Sequence, residues 1–252
     1  MRQGAGRRLV VPGPENEKGG SDGRRSHAGV QAHWDRFAED DPMWYIATWN
    51  RDWTVEDFFA SGKAMVDRMM AWAEELLPGR ERMLEIGCGL GRTSVHFADH
   101  FARVDAIDIS GKMIRQASRL NTRANLHFAP ASGRDLSEFD DGVFDLVYSF
   151  MVFQHIPDAS VIETYLSEVC RILKPGGVAE LQFDTRPQNP LIELYKRLPD
   201  PLLPRNHRRF IRRYRRRPEW VRSAFERHGL AVRDEAGAGT EEHFILARKS
   251  RA

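Results

Sequence analysis

The chain of 252 residues contains only two cysteines, Cys88 and Cys170, and no apolar run near the roughly 20 residues needed to cross a bilayer. Two cysteines exclude a disulfide framework and a CxxC metal site, so hydrophobic burial has to hold the fold. The first residues lack the apolar core of a signal peptide, which together with the missing span predicts a soluble, cytoplasmic protein. An excess of one charge is lacking too. The 38 Lys and Arg residues nearly balance 36 Asp and Glu residues, leaving a formal charge of +2 that demands no anionic partner for the molecule as a whole. The histidines are scattered without metal-ligand spacing, so no metal is expected, and no internal repeat is visible.

What is present divides the chain into three. Residues 1–28 are rich in Gly, Arg and Ser and read as a disordered tail. Residues 29–79 crowd aromatics into a short span, among them Trp44, Tyr45, Trp49 and Trp53, and read as a helical cap or lid; Val55 to Leu77 has helical spacing and ends at Pro78-Gly79. Residues 80–252 alternate short apolar runs with helical patterns, the signature of a parallel sheet covered on both faces. Seven strands are expected, at Arg82–Ile86, Arg103–Ile109, Asn125–Ala129, Phe144–Phe150, Val178–Asp184, Leu230–Asp234 and His243–Arg248. The spacing predicts helices over Arg92–Phe101, Lys112–Arg119, Ser160–Leu173 and Pro218–His228. An arginine-rich insertion at about 186–217 contains "RNHRRFIRRYRRR", in which Phe210, Ile211 and Tyr214 fall on one face of an amphipathic helix.

The most informative stretch is "MLEIGCGLGR", Met83 to Arg92. A strand, a glycine turn and a helix leave free backbone N–H groups where a ligand can approach. A dinucleotide fingerprint wants GxGxxG, whereas here Gly87, Gly89 and Gly91 make GxGxG and Arg92 takes the third-glycine place; no Gly-Lys-Ser or Gly-Lys-Thr ending of a P-loop follows. Glu85, at the carboxyl end of the first strand, repels a pyrophosphate and suits a ligand carrying an ammonium or sulfonium group. Asp108, at the end of the second strand, is placed to accept from ribose hydroxyls.

With "VDAIDIS", "FDLVYSF" and "VCRILKPGGVAELQF", this stretch resembles the successive motifs of class I S-adenosylmethionine-dependent methyltransferases. The resemblance implies a Rossmann-like α/β fold: a seven-stranded, mostly parallel sheet with an antiparallel last strand and helices on both faces. It also implies S-adenosyl-L-methionine as cofactor. Glu85, Gly87, Cys88 and Gly89 would meet its amino acid part and Asp108 its ribose. Ile109, Met113, Phe150 and the loop at Ser132 and Gly133 would meet the rest, although that loop lacks the acid many relatives carry.

Methyl transfer from a sulfonium needs little beyond holding the acceptor against the methyl. If the acceptor must lose a proton, a base is expected in the segment after the fourth strand, where His155 is the candidate; the same histidine would otherwise serve to order the Gln154 to Asp158 loop. Trp44, Tyr45, Trp49 and Gln154 are the residues expected at the acceptor or its lid. The expected reaction is O-, N- or C-methylation of a small molecule, in secondary metabolism or on an anionic acceptor. An RNA or protein methyltransferase docking through the arginines is the alternative, as is a protein that binds the cofactor without transfer. Oligomeric state is not legible.

Overall fold

The computed structural model describes residues 27–187, 194, 198, 199, 202 and 213–250. The expected tail, apart from its last two residues, lies outside the described residues. So does most of the arginine-rich insertion, Phe210 and Ile211 included.

Three helices come first, α1 (His27–Asp40), α2 (Pro42–Ile46) and α3 (Val55–Ala73). The Asp41 carboxylate accepts from Trp44 N to start α2, with Pro42 in its first turn. Thr54 Oγ1 accepts from Asp57 N to start α3, and Glu56 and Asp57 complement its positive end. Phe37, Trp44, Tyr45, Phe58, Leu90 and Met113 pack together, so these helices share a small core with the glycine turn and the sheet domain.

The alternating part follows as β1 (Arg82–Ile86), α4 (Ser94–Phe97), β2 (Arg103–Asp108), α5 (Gly111–Leu120), β3 (Leu126–Pro130), β4 (Phe144–Ser149), α6 (Ala159–Ile172), β5 (Leu173–Phe183), α7 (Pro218–Arg227), β6 (Leu230–Ala236) and β7 (His243–Lys249). Among the described residues these make one seven-stranded sheet in the order β3-β2-β1-β4-β5-β7-β6. β7 lies antiparallel to both β5 and β6, so the last strand alone is reversed. The strand order changes direction between β1 and β4, and such a switch point opens a crevice at the carboxyl ends of the strands. One face of the sheet packs on α6 and α7 through residues such as Leu84, Val147, Ala179, Leu166 and Phe225. The other packs on α3 and α4 through Met83, Tyr148, Val66, Met70 and Phe97. Asp145 pins the entry to β1, accepting from Glu81 N and Arg82 N at 2.9 and 3.0 Å and pairing with Lys174 at 3.0 Å.

Three expectations need correction. The helix expected over Arg92–Phe101 contracts to Ser94–Phe97, because His96 N and His100 N bond three residues back, to Thr93 O and Phe97 O, and break the regular ladder. β5 starts at Leu173, five residues before the expected Val178, since Leu173 already pairs with Phe144 ahead of a register shift. Residues 213–217 are not helical: the following Pro218 favours an extended Arg217, whose φ and ψ are −72° and 139°. Among the described residues no helix is long and apolar enough to cross a membrane.

Candidate active site

β1 delivers Glu85 to its carboxyl end on the face shared with Met83, and the chain then turns through the glycines. Gly87, Gly89 and Gly91 have φ of +78°, +55° and +83°, the left-handed region where a side chain is strained. Their amides do not wait for a ligand. Gly87 N and Cys88 N donate to Ile107 O at 2.7 and 3.0 Å, Gly91 N donates to Cys88 O at 2.8 Å, and Gly89 N donates to the Asp108 carboxylate at 3.0 Å. The expectation of free N–H groups is therefore corrected: the turn spends these four on the second strand and on itself.

The turn forms one side of a cavity of about 580 Å³. Glu85, Gly87, Cys88, Gly89, Asp108 and Ile109 line it from β1 and β2, joined by Met113, Gly133, Phe150, His155 and Tyr45. Glu85 is buried, and both oxygens accept from hydroxyls, Thr93 Oγ1 and Ser94 Oγ, at 2.5 Å each. Burial pushes its carboxyl up from the ordinary range, with the two hydroxyls opposing. Asp108 accepts from Ser110 N at 2.8 Å as well as from Gly89 N, and burial raises its carboxyl to about 6. The buried Cys88 thiol is pushed well above its usual range by burial, with Asp108 and Glu85 adding to the effect, so it stays protonated and is no nucleophile.

Beyond β4 the wall is formed by a loop that starts with strain. Met151 has φ 60°, the one non-glycine residue in the left-handed region among the described residues, and its N–H donates to Gln182 Oε1 at 2.8 Å. Phe150 stacks on Phe244 at 5.6 Å. His155 ends a single 3-10 turn and meets Trp34 of α1 edge-on, with ring centroids 5.5 Å apart. Trp34, Tyr45 and Ile46 bring the cap helices onto the cavity, and the Ile46 side chain lies where a Cβ on Gly89 would be, 2.6 Å away.

Four expected residues lie off the cavity. The Ser132 hydroxyl is turned into its own loop, accepting from Arg134 N and Asp135 N. Trp44 is buried in the cap core. Trp49 is 57% exposed, with its ring under the Arg92 guanidinium. Gln154 is buried behind the wall, where its carbonyl accepts from Tyr214 N at 2.6 Å and its side chain faces Gln182. Sequence reasoning missed Trp34, Met151 and Arg92 as cavity residues. Trp34 was visible as part of the aromatic cluster and Arg92 as the missing glycine, while nothing in the sequence signals the backbone of Met151.

Arg213, Arg215 and Arg216 of the insertion are engaged with the protein itself. Arg213 pairs with Glu241 at 2.8 Å, and Arg215 donates to Pro187 O at 2.6 Å. Arg216 donates to Ile156 O and Pro157 O at 3.0 and 2.9 Å. Among the described residues no cluster of His, Cys, Asp or Glu could hold a metal ion.

Residues 84–181 match a family model described as a methyltransferase domain. Over 127 residues the chain is 34% identical to a 2-methyl-6-phytyl-1,4-hydroquinone methyltransferase of Synechocystis sp., a match covering 49% of this chain and 39% of that one. Over 149 residues it is 30% identical to a ubiquinone biosynthesis O-methyltransferase of Xanthomonas oryzae pv. oryzae, covering 58% of each. The chain thus spans less than two thirds of the length of both relatives. In fold it is similar to the magnesium protoporphyrin IX methyltransferase from Synechocystis PCC 6803 with bound SAH, with a TM-score of 0.61 at 20% identity, over 88% of this chain and 98% of that one.

Proposed function

We propose that the chain, whose residues 84–181 match a methyltransferase domain, is of the class I, S-adenosylmethionine-dependent kind and transfers a methyl group from S-adenosylmethionine to a small molecule with an apolar body. The observation that supports this most is the pair of carboxylates, Glu85 and Asp108, on a cavity whose glycine amides are already bonded. Two acids on the cavity oppose a pyrophosphate; they suit a cationic amino acid tail and a ribose.

In this reading Glu85 faces the ammonium and Asp108 accepts from the ribose hydroxyls. Ile109, Met113 and Gly133 surround the adenine, and Phe150 also lines the cavity. Ser132 has no part in it, because its hydroxyl is held in its own turn. S-Adenosylmethionine supplies a methyl group on a sulfonium that leaves as a neutral thioether. The protein's part is to hold the acceptor atom in line with that carbon and to exclude water. Trp34, Ile46, Val152 and Ile156 form an apolar wall that would bind the acceptor's body. Where the acceptor atom carries a proton, His155 on that wall takes it as the new bond forms. Arg213, Arg215 and Arg216 already donate to protein acceptors. The cytoplasm, where S-adenosylmethionine is made, is the compartment we assign.

The test is incubation with methyl-labelled S-adenosylmethionine and extract from the source cells, followed by identification of the labelled product. A labelled small molecule is expected. Thermal stabilisation by NAD and none by S-adenosylmethionine would overturn the reading.

A further inference from the structure

Arg92 is a charged residue of the cavity wall that has no ion-pair partner among the described residues. It is 3% exposed, and its Nε has no hydrogen-bond partner. Its terminal nitrogens reach only Ser61 Oγ, at a long 3.4 Å, and Met65 Sδ at 3.8 Å, while the Trp49 ring lies 5.3 Å from the guanidinium carbon. Glu85 is near enough to act on it through space, but the Glu85 oxygens are taken by Thr93 and Ser94. Burial pulls the Arg92 pKa down, yet a guanidinium stays charged in a protein. A buried cation without an anion costs several kcal/mol, which a carboxylate brought by a ligand would offset.

Building on the proposed function, we propose that Arg92 is a carboxylate-binding residue of this cavity, and that the carboxylate is that of the cofactor's amino acid tail. The position of Arg92 supports the tail as the source. Arg92 and Glu85 both line the cavity and lie close enough to interact through space, so a carboxylate and a guanidinium share one part of its wall. An α-amino acid carries the complementary pair, an ammonium and a carboxylate. Arg92, which breaks the dinucleotide fingerprint in the sequence, then has a positive role: it reads the end of the ligand that a dinucleotide lacks. A carboxylate borne by the acceptor is the other source of the same chemistry.

Calorimetric titration of the full chain with S-adenosylhomocysteine and with 5′-methylthioadenosine, which lacks the amino acid tail, separates these cases. Arg92→Met is expected to weaken S-adenosylhomocysteine binding about 10- to 100-fold, the loss of a charge-assisted hydrogen bond, and to leave methylthioadenosine within about twofold. Arg92→Lys keeps the charge without the planar fork and is expected to fall between, for S-adenosylhomocysteine only; it carries the test if the methionine variant does not fold. Equal losses for both ligands would mark Arg92 as structural and overturn the inference. Unchanged S-adenosylhomocysteine binding overturns the tail assignment, and a raised acceptor KM in the same variant would identify the acceptor as the source. A wild-type protein that binds neither ligand overturns the cofactor reading itself.

Discussion

Asp108 is asked to do two things that depend oppositely on pH. Its carboxyl, raised to about 6 by burial, is above the value near 4 of an unfolded chain. Its contribution to folding is therefore complete below about pH 4 and is lost as pH rises through 6. Accepting from ribose hydroxyls requires the ionised form, so ligand binding gains where folding loses. Affinity for S-adenosylhomocysteine is expected to be level above pH 6 and to weaken toward tenfold per pH unit below it. Asp108→Asn should weaken binding at pH 7 by about 1–3 kcal/mol and remove this part of the pH dependence, leaving whatever Glu85 contributes. Calorimetry from pH 5 to 8 on both proteins checks this, and matching profiles would refute the ribose assignment. At this scale the sequence was readable where spacing alone sets position: Gly87, Gly89 and the two strand-end acids line one cavity. It was unreadable at Ser132 because the choice between facing a ligand and capping its own turn depends on local backbone geometry, which composition does not encode.

The position of α3 over the glycine turn depends on one residue without a side chain. A Cβ on Gly62 would lie 2.1 Å from Arg92 O and 2.9 Å from its carbonyl carbon, inside any real contact, and both atoms are backbone. Alanine favours a helix over glycine by about 1 kcal/mol, but here the helix would have to move off the turn. Gly62→Ala is therefore expected to destabilise by about 1–3 kcal/mol net and to weaken cofactor binding, since the shifted backbone belongs to Arg92. Urea unfolding gives the first quantity and calorimetry the second; a variant as stable as the parent would show that α3 can slide. Elements were legible where periodicity ran long, as in α3, α6 and α7. They were misjudged where tertiary bonds overrode pattern. In α4 the hydroxyls of Thr93 and Ser94 turn inward to Glu85 and the ladder shortens; in β5 pairing begins at Leu173, on the near side of Lys174-Pro175-Gly176-Gly177.

For the whole molecule, the alternation of short apolar runs with helical patterns was enough to count seven strands, whereas the reversal of the last one was legible only through the resemblance to class I methyltransferases. One group in that sheet works against it. Glu180 sits on β5 between Tyr148 of β4 and Leu246 of β7, fully buried, and neither carboxylate oxygen has a hydrogen-bond partner among the described residues. Burial holds its carboxyl well above 4.5, and the same burial of Tyr148 beside it pushes the phenol up. A carboxyl raised in the folded state supports folding below its unfolded value, and this contribution is lost as pH climbs from about 4.5 toward the folded value. The unfolded chain can ionise in water, whereas the folded one must keep the proton or bury a charge. Glu180→Gln removes that ionisation and preserves volume, so the variant should melt above the parent at pH 8, with a smaller difference at pH 5. Parallel melting-temperature profiles for the two proteins between pH 5 and 8 would mean that Glu180 finds a partner when it ionises, and that the sheet's centre is less closed than its burial indicates.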